Sequence, residues 1–258
     1  MKGGLYVSTV ISHFYNEEYL LPWWLKHHVP LFKHGILIDR GSNDRSVDIC
    51  KKLAPHWEVR ESKVAEFDAL LVDREVMEIE AECIGWKMVL NTTEFLCFPD
   101  KQPFFAKLET LGSSMYHIRT IFLVDDPNYG YTEPDPKVPL VKQRHHGFIL
   151  PHAGRFIHRY KHGSYTVGRH STDQSFTYLP FLDVPDPAFV IKCYFSPWTE
   201  ELKLRKLQIG PTLSASSIHS RLGHQHLVNR EELEQAYLHY VQQSSDLRLY
   251  PAYQRLWE

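Results

Sequence analysis

The sequence predicts an α/β protein whose mostly parallel sheet is flanked by helices. Three observations carry that reading. Four strand-like runs alternate with three helix-like runs between residues 5 and 98, the rhythm of right-handed βαβ crossovers. The first run, LYVSTVISHF, is β-branched and aromatic, as a buried strand is. Polar clusters follow the first, second and fourth strand runs, where a parallel sheet places its ligand loops.

In order, residues 5 to 14 form the first strand and YNEEYLLPWWLKHH supplies the first helix. Asn16 is placed to cap that helix, Glu17 and Glu18 suit the dipole of its first turn, and Pro22 is tolerable only near its start. GILID, 35 to 39, is the second strand, and 44 to 54 is a short amphipathic helix with Val47, Cys50 and Leu53 on one face. WEVRES, 57 to 62, is the third strand. Residues 68 to 85 form a clear helix, with Val72, Val76, Ile79 and Cys83 on one apolar stripe. WKMVLNTTEFLCF, 86 to 98, is the fourth strand, broken in its middle by Asn91, Thr92, Thr93 and Glu94.

After Pro99 the rhythm changes. Pro127, Pro134, Pro136 and Pro139 punctuate one stretch, and residues 177 to 195 read as short strands and turns. Helices are expected over 200 to 209 and over 229 to 243, the second opened by Asn229 with Glu232 three residues on. The second half shows no sheet pattern of its own. It is expected to complete the first half as an irregular α+β part of one domain spanning 1–258.

Composition excludes several classes. Hydrophobic residues make up 43% and charged residues 23%, which is globular and not disordered. A formal net charge of -2 leaves no basic field for nucleic acid. No run approaches the length of a membrane span, so no transmembrane segment is expected. Cys50, Cys83, Cys97 and Cys193 form no CxxC pair, which argues against a zinc site or a disulfide framework and for a reducing, cytoplasmic location. The pairs His27-His28, His145-His146 and His224/His226 lack the i, i+4 spacing of a helical zinc pair.

The three polar clusters, 13 to 18, 39 to 44 and 91 to 94, fall at carboxyl ends of strands and are expected to meet on one rim. They also carry a resemblance. HFYNEEYLLPWWLKHH, LIDRGSNDRSVDICKKLAP and GWKMVLNTTEFL resemble, in order and spacing, three motifs of family 2-like glycosyltransferases: an "NE…L…W" segment, a "D-x-G-S-x-D-x-S/T" segment and the strand that ends in a metal-binding aspartate motif. The resemblance covers residues 5 to 98, and more loosely the KHGSYTVGRH and RKLQIG…LGHQH stretches.

What the resemblance implies is a GT-A fold, a Rossmann-like sheet whose first half, 1–98, binds a nucleotide-sugar, with the acceptor side in 99–258. Asn16 and Glu17 would lie in the first nucleotide loop. Asp39 would accept hydrogen bonds from base or ribose, or serve only as a turn residue. Asp44 would cap the next helix. Asp73 would face the donor or a solvated helix surface. A divalent metal, Mn²⁺ or Mg²⁺, would sit near Asn91 and Glu94. The chain departs from the family there: Asn91 and Thr93 stand where aspartates are expected and only Glu94 keeps a charge, so either Glu94 acts with a second ligand, or the metal is dispensable, or Glu94 is a solvated strand-end charge. His170 is the candidate second metal ligand and Asp173 the candidate catalytic base, each with an ordinary loop role as the alternative. Lys203, Arg205 and Lys206 could reach the diphosphate or form a plain basic face. The expected activity is transfer of a sugar from a nucleotide-sugar to a glycan or lipid-linked acceptor. The alternatives are a degenerate nucleotide-sugar or glycan binding protein and, more weakly, a His-dependent metallohydrolase.

Overall fold

The computed structural model describes residues 7–98, 104–182 and 187–256. Residues 5 and 6 of the expected first strand, and 183–186 of the expected strand-and-turn stretch, lie outside the described residues. The chain runs β1 (Ser8–Phe14), α1 (Leu21–His28), β2 (His34–Asp39), α2 (Ser46–Leu53), β3 (Glu58–Glu61), α3 (Ala69–Glu82), β4 (Trp86–Val89), β5 (Glu94–Cys97), α4 (Phe104–Leu111) and β6 (Met115–Val124). It continues with β7 (His146–His158), β8 (Thr177–Tyr178), β9 (Phe189–Phe195), α5 (Glu200–Leu207), α6 (Ala215–His219), α7 (Arg230–Gln243), β10 (Ser245–Asp246) and α8 (Pro251–Gln254).

One sheet runs through both halves in the order β3-β2-β1-β4-β7-β6-β9-β5. The α/β class is as expected. β3, β2, β1 and β4 are parallel, so their carboxyl ends share one rim. Beyond β4 the sheet is mixed: β7 is antiparallel to β4 and β6, β9 is parallel to β6, and β5 is antiparallel to β9.

The first-half pattern folds as its periodicity dictates. Asp68 caps α3 by accepting from the Leu70 and Leu71 N–H groups, Val72 is buried, and Val76 and Ile79 pack against Ile11, Ile36, Ile38 and Val89 of the sheet. On the other face Trp24 of α1 is fully buried, and its indole N–H donates to the Glu94 carbonyl at 2.9 Å. His28 ring Nε2 accepts from the Leu96 N–H at 3.2 Å. Helix α1 is thereby fastened to β5, which lies far from it in sequence. Helix α7 opens with the expected reciprocal capping box of Asn229 and Glu232.

Three expectations need correction. Asn16 does not cap α1, which begins at Leu21; Asn16 is left-handed, at φ 49°, and its side chain is committed to the neighbouring loop. The 86–98 run is two strands, not one. β4 pairs with β1, whereas β5 lies at the far edge on β9, because the turn at 90–93 redirects the chain. The second half also carries long strands. β6 is buried almost throughout and so shows no alternation, and β7 is interrupted by Pro151 and Gly154, which hid its period.

Candidate functional site

The loops after β1 and β2 are tied together by short polar side chains. The Asn16 N–H donates to Ser42 Oγ at 2.9 Å, Asn16 and Asn43 exchange two bonds, the Glu17 N–H donates to Ser46 Oγ at 2.8 Å, and the Glu18 N–H donates to Asp44 at 3.0 Å. Asp44 also accepts from the Ser46 N–H at 2.9 Å, at the first residue of α2. Asp39 accepts from the Ser42 N–H at 3.0 Å and closes the turn. This is why the LIDRGSNDRS stretch is so rich in Ser, Asn and Asp: the loops need acceptors for exposed N–H groups.

These loops form one wall of a cleft of about 500 Å³ at the carboxyl ends of the parallel strands. Its lining includes Glu17, Asp73, Asn91 and His170 from the expected site. Asp39, Asp44 and Asp173 are not among the lining residues. Asp173 is exposed, beside the isolated bridge between Tyr165 and Thr172.

The cleft is rich in cations: Arg40, Arg155, Arg169, Lys192, Arg205 and Lys206 all line it. Each carboxylate at the cleft already has a basic partner. Glu17, buried, holds Arg205 through both oxygens, one bond being 2.6 Å. Asp73, buried, accepts from Arg169 and, at 2.7 Å, from the Gly168 N–H. Arg169 reaches on to the Asn91 side-chain oxygen at 3.1 Å.

Glu94 lies beneath the cleft, 1% exposed. Arg155 grips it with two bonds of 2.8 Å, Lys192 is 3.3 Å away, and the Asn91 N–H donates at 3.0 Å. Burial alone would raise its pKa, but Arg155 and Lys192 outweigh burial and hold it well below the usual carboxylate range. Arg155 also donates to the Gly168 carbonyl at 2.9 Å and lies 3.3 Å from His170 Nδ1. Partial desolvation, then the charges of Arg155 and Lys192, push the His170 imidazole down to about 4, so it is neutral near pH 7.

The residues expected to hold a metal therefore do not present themselves to one. A divalent cation wants hard anionic oxygens, and both Glu94 oxygens are taken by a guanidinium and an ammonium. Asn91 and His170 also contact arginine, so a cation would enter against positive charge. Outside the cleft, ligand atoms of His145, His146 and Asp246 come within 4.8 Å of one another. Arg248 binds both oxygens of Asp246 and Tyr131 holds His146 Nδ1, while His145 Nε2 has no hydrogen-bond partner.

His13 opens the first polar cluster, near the end of the first strand run, and the sequence assigns it no role of its own. It lines the cleft, and its Nε2 lies 3.2 Å from Ser62 Oγ and 3.5 Å from Glu75. Burial lowers its pKa against the opposing pull of Glu75, which favours the neutral ring. The sequence leaves Lys206 between reaching the diphosphate and forming part of a plain basic face. It lies in the cleft, over the Tyr194 and Phe195 rings at 4.6 and 4.3 Å.

The fold and site define an α/β protein with an arginine- and lysine-lined cleft at the carboxyl ends of its parallel strands. No protein-family model matches the chain, and no curated protein matches it. Among solved structures it is similar to glucosyl-3-phosphoglycerate synthase from Mycobacterium tuberculosis in complex with Mn²⁺, uridine diphosphate and glucosyl-3-phosphoglycerate, at 15% identity over 60% of this chain and 57% of that chain, with TM-score 0.36. It is also similar to S. aureus TarS 1-349 in complex with UDP, at 15% identity over 59% of this chain and 46% of that one, with TM-score 0.37. To S. aureus TarS the figures are 13%, 80%, 39% and 0.42. The matches to the synthase and to TarS 1-349 cover about half the length of those chains. Among the described residues no helix is long and apolar enough to cross a membrane, and the four cysteines are free.

Proposed function

We propose that the cleft binds a nucleoside-diphosphate sugar and transfers its sugar to a hydroxyl acceptor, in the manner of a GT-A glycosyltransferase. The observation that carries this reading is the convergence of cationic side chains on the carboxyl-end rim, where α/β sheets bind nucleotides. Tyr15 and Phe67 flank Arg40, whose guanidinium lies 4.5 and 5.6 Å from their ring centres, and give a flat surface for a base. The cations at the other end meet the diphosphate, on which negative charge builds as the glycosidic bond breaks.

In the transfer, the acceptor oxygen bonds the anomeric carbon and the bond from that carbon to the diphosphate breaks. The acceptor proton passes to His13, which suits the role because it is neutral and because Glu75 and Ser62 engage Nε2 and leave Nδ1 as the free basic nitrogen. Asp173, exposed and away from the cleft, is the weaker choice. The second reading, a binding protein without turnover, is favoured by the arginine partner on every carboxylate at the cleft.

The test is a panel of nucleotide-sugars with thermal shift and donor turnover read together. Stabilisation by one nucleoside diphosphate with sugar released or transferred supports the enzyme. His13→Gln should then cut turnover roughly a hundredfold or more with donor affinity unchanged. Stabilisation without turnover supports the binding protein.

A further inference from the structure

The charges at the cleft do not balance. Glu17, Asp73 and Glu94 are matched by Arg205, Arg169 and Arg155, with Lys192 also on Glu94. Lys206 has no carboxylate within salt-bridge distance among the described residues. It is held over two aromatic rings beside Arg205 and Lys192 and is half-buried. Its neighbourhood pushes its pKa down to about 7, through burial first and then through those two cations. Arg40 is likewise without a carboxylate partner: it donates to Thr212 Oγ1 at 3.0 Å and stacks on Tyr15. A chain that buries cations without counter-ions leaves room for an anion.

The same cleft lacks what a metal-assisted diphosphate site needs. Asn91 and Thr93 are neutral, and the one carboxylate of the 91–94 turn is closed by five donor contacts from Arg155, Lys192 and Asn91. Resting on the reading that the cleft takes a nucleoside diphosphate, we propose that it does so without a divalent metal, the diphosphate oxygens being met directly by basic side chains with Lys206 as the principal contact. Lysine serves here as a compact point charge with three donors, and Lys192, once paired only with Glu94, shares its charge with the ligand. The Glu94–Arg155 pair is a positioning device: it ties β5, β7 and the 168–170 turn together, with Lys192 beside Glu94 at the cleft.

The experiment is calorimetric titration of UDP, ADP, GDP and inorganic diphosphate into metal-stripped protein in EDTA, repeated in excess MnCl₂. The expected result is binding of at least one nucleoside diphosphate in EDTA, with affinity within about twofold of that in Mn²⁺. Lys206→Met should weaken it by about tenfold or more, Lys206→Arg should recover most of the loss, and Lys51→Met on the exposed face of α2 should change nothing. Thermal melts of each variant separate lost binding from lost folding. Binding that appears only with Mn²⁺ overturns the metal-free site and leaves the nucleotide reading standing. Metal-free binding unchanged in Lys206→Met overturns the role of Lys206. No binding of any probe in either condition overturns the nucleotide reading itself.

Discussion

The two halves of the chain supply opposite members of each ion pair at the cleft. Residues 7–98 supply the carboxylates Glu17, Asp73 and Glu94; residues beyond 146 supply Arg155, Arg169, Lys192 and Arg205. Every one of these pairs crosses from one half to the other. The buried Glu80–His158 contact at 2.9 Å crosses in the same way. Glu75 differs, since His13, Ser62 and Lys63 all come from its own half. The lesson is that neither half is electrostatically complete. A buried charge left without its partner costs more than the pair is worth, so the cross-half pairs act mainly by forbidding the halves to part.

The sharpest way to break that comparison is Arg155→Met. It strands Glu94, 1% exposed, with only Lys192, and should destabilise the protein by about 3–5 kcal/mol in urea denaturation. The double variant Glu94→Met with Arg155→Met should lose clearly less than Arg155→Met alone. Equal losses would mean that the pair carries no special weight.

Acid titration tests the contrast from the other side. Burial would raise the pKa of Glu75, but the His13 bond, the Lys63 N–H and the Ser62 hydroxyl outweigh it and hold the carboxyl at about 2. Its folded pKa is below its unfolded one. Its stabilisation is therefore present above about pH 4.5 and is lost as the pH falls towards 2, a change of about 1–2 kcal/mol after allowance for solvent screening. Glu75→Gln should flatten that part of the stability curve. An unchanged curve would remove the first-half network from the comparison.

An effect of similar size is expected at the turn between the charges. Gly168 is left-handed, at φ 82°, and gives its N–H to Asp73 and its carbonyl to Arg155. A Cβ there would stand 3.0 Å from His170 Cδ2. Gly168→Ala should cost about 1–2 kcal/mol by thermal melt, through backbone strain in a turn that serves two ion pairs at once.

Much of the first half was legible because its signals are local. The stripe of Val72, Val76 and Ile79 predicts a helix and its buried face together, and Asn229 with Glu232 predicts where α7 starts. The site was legible in part. Glu17, Asp73, Asn91 and His170 do reach the cleft, whereas Asp39 and Asp44 are spent on turn hydrogen bonds and Asp173 is exposed and not among the lining residues. His13 could have been found as the last inward position of the first strand, but a lone histidine in an apolar run carries no pattern.

Periodicity and turn chemistry predict the alternation of strands and helices, the class of the sheet, and the polar rim on which three distant segments meet, because they act over a few residues. What the rim does with its charge is set by the folded chain. Glu94 reads as a metal ligand until Arg155, 61 residues on, closes on both its oxygens, and Lys206 reads as surface until β9 and α7 wall it in. Electrostatic partners are set by distance in space, and the spacing along the chain that local patterns report does not contain that distance.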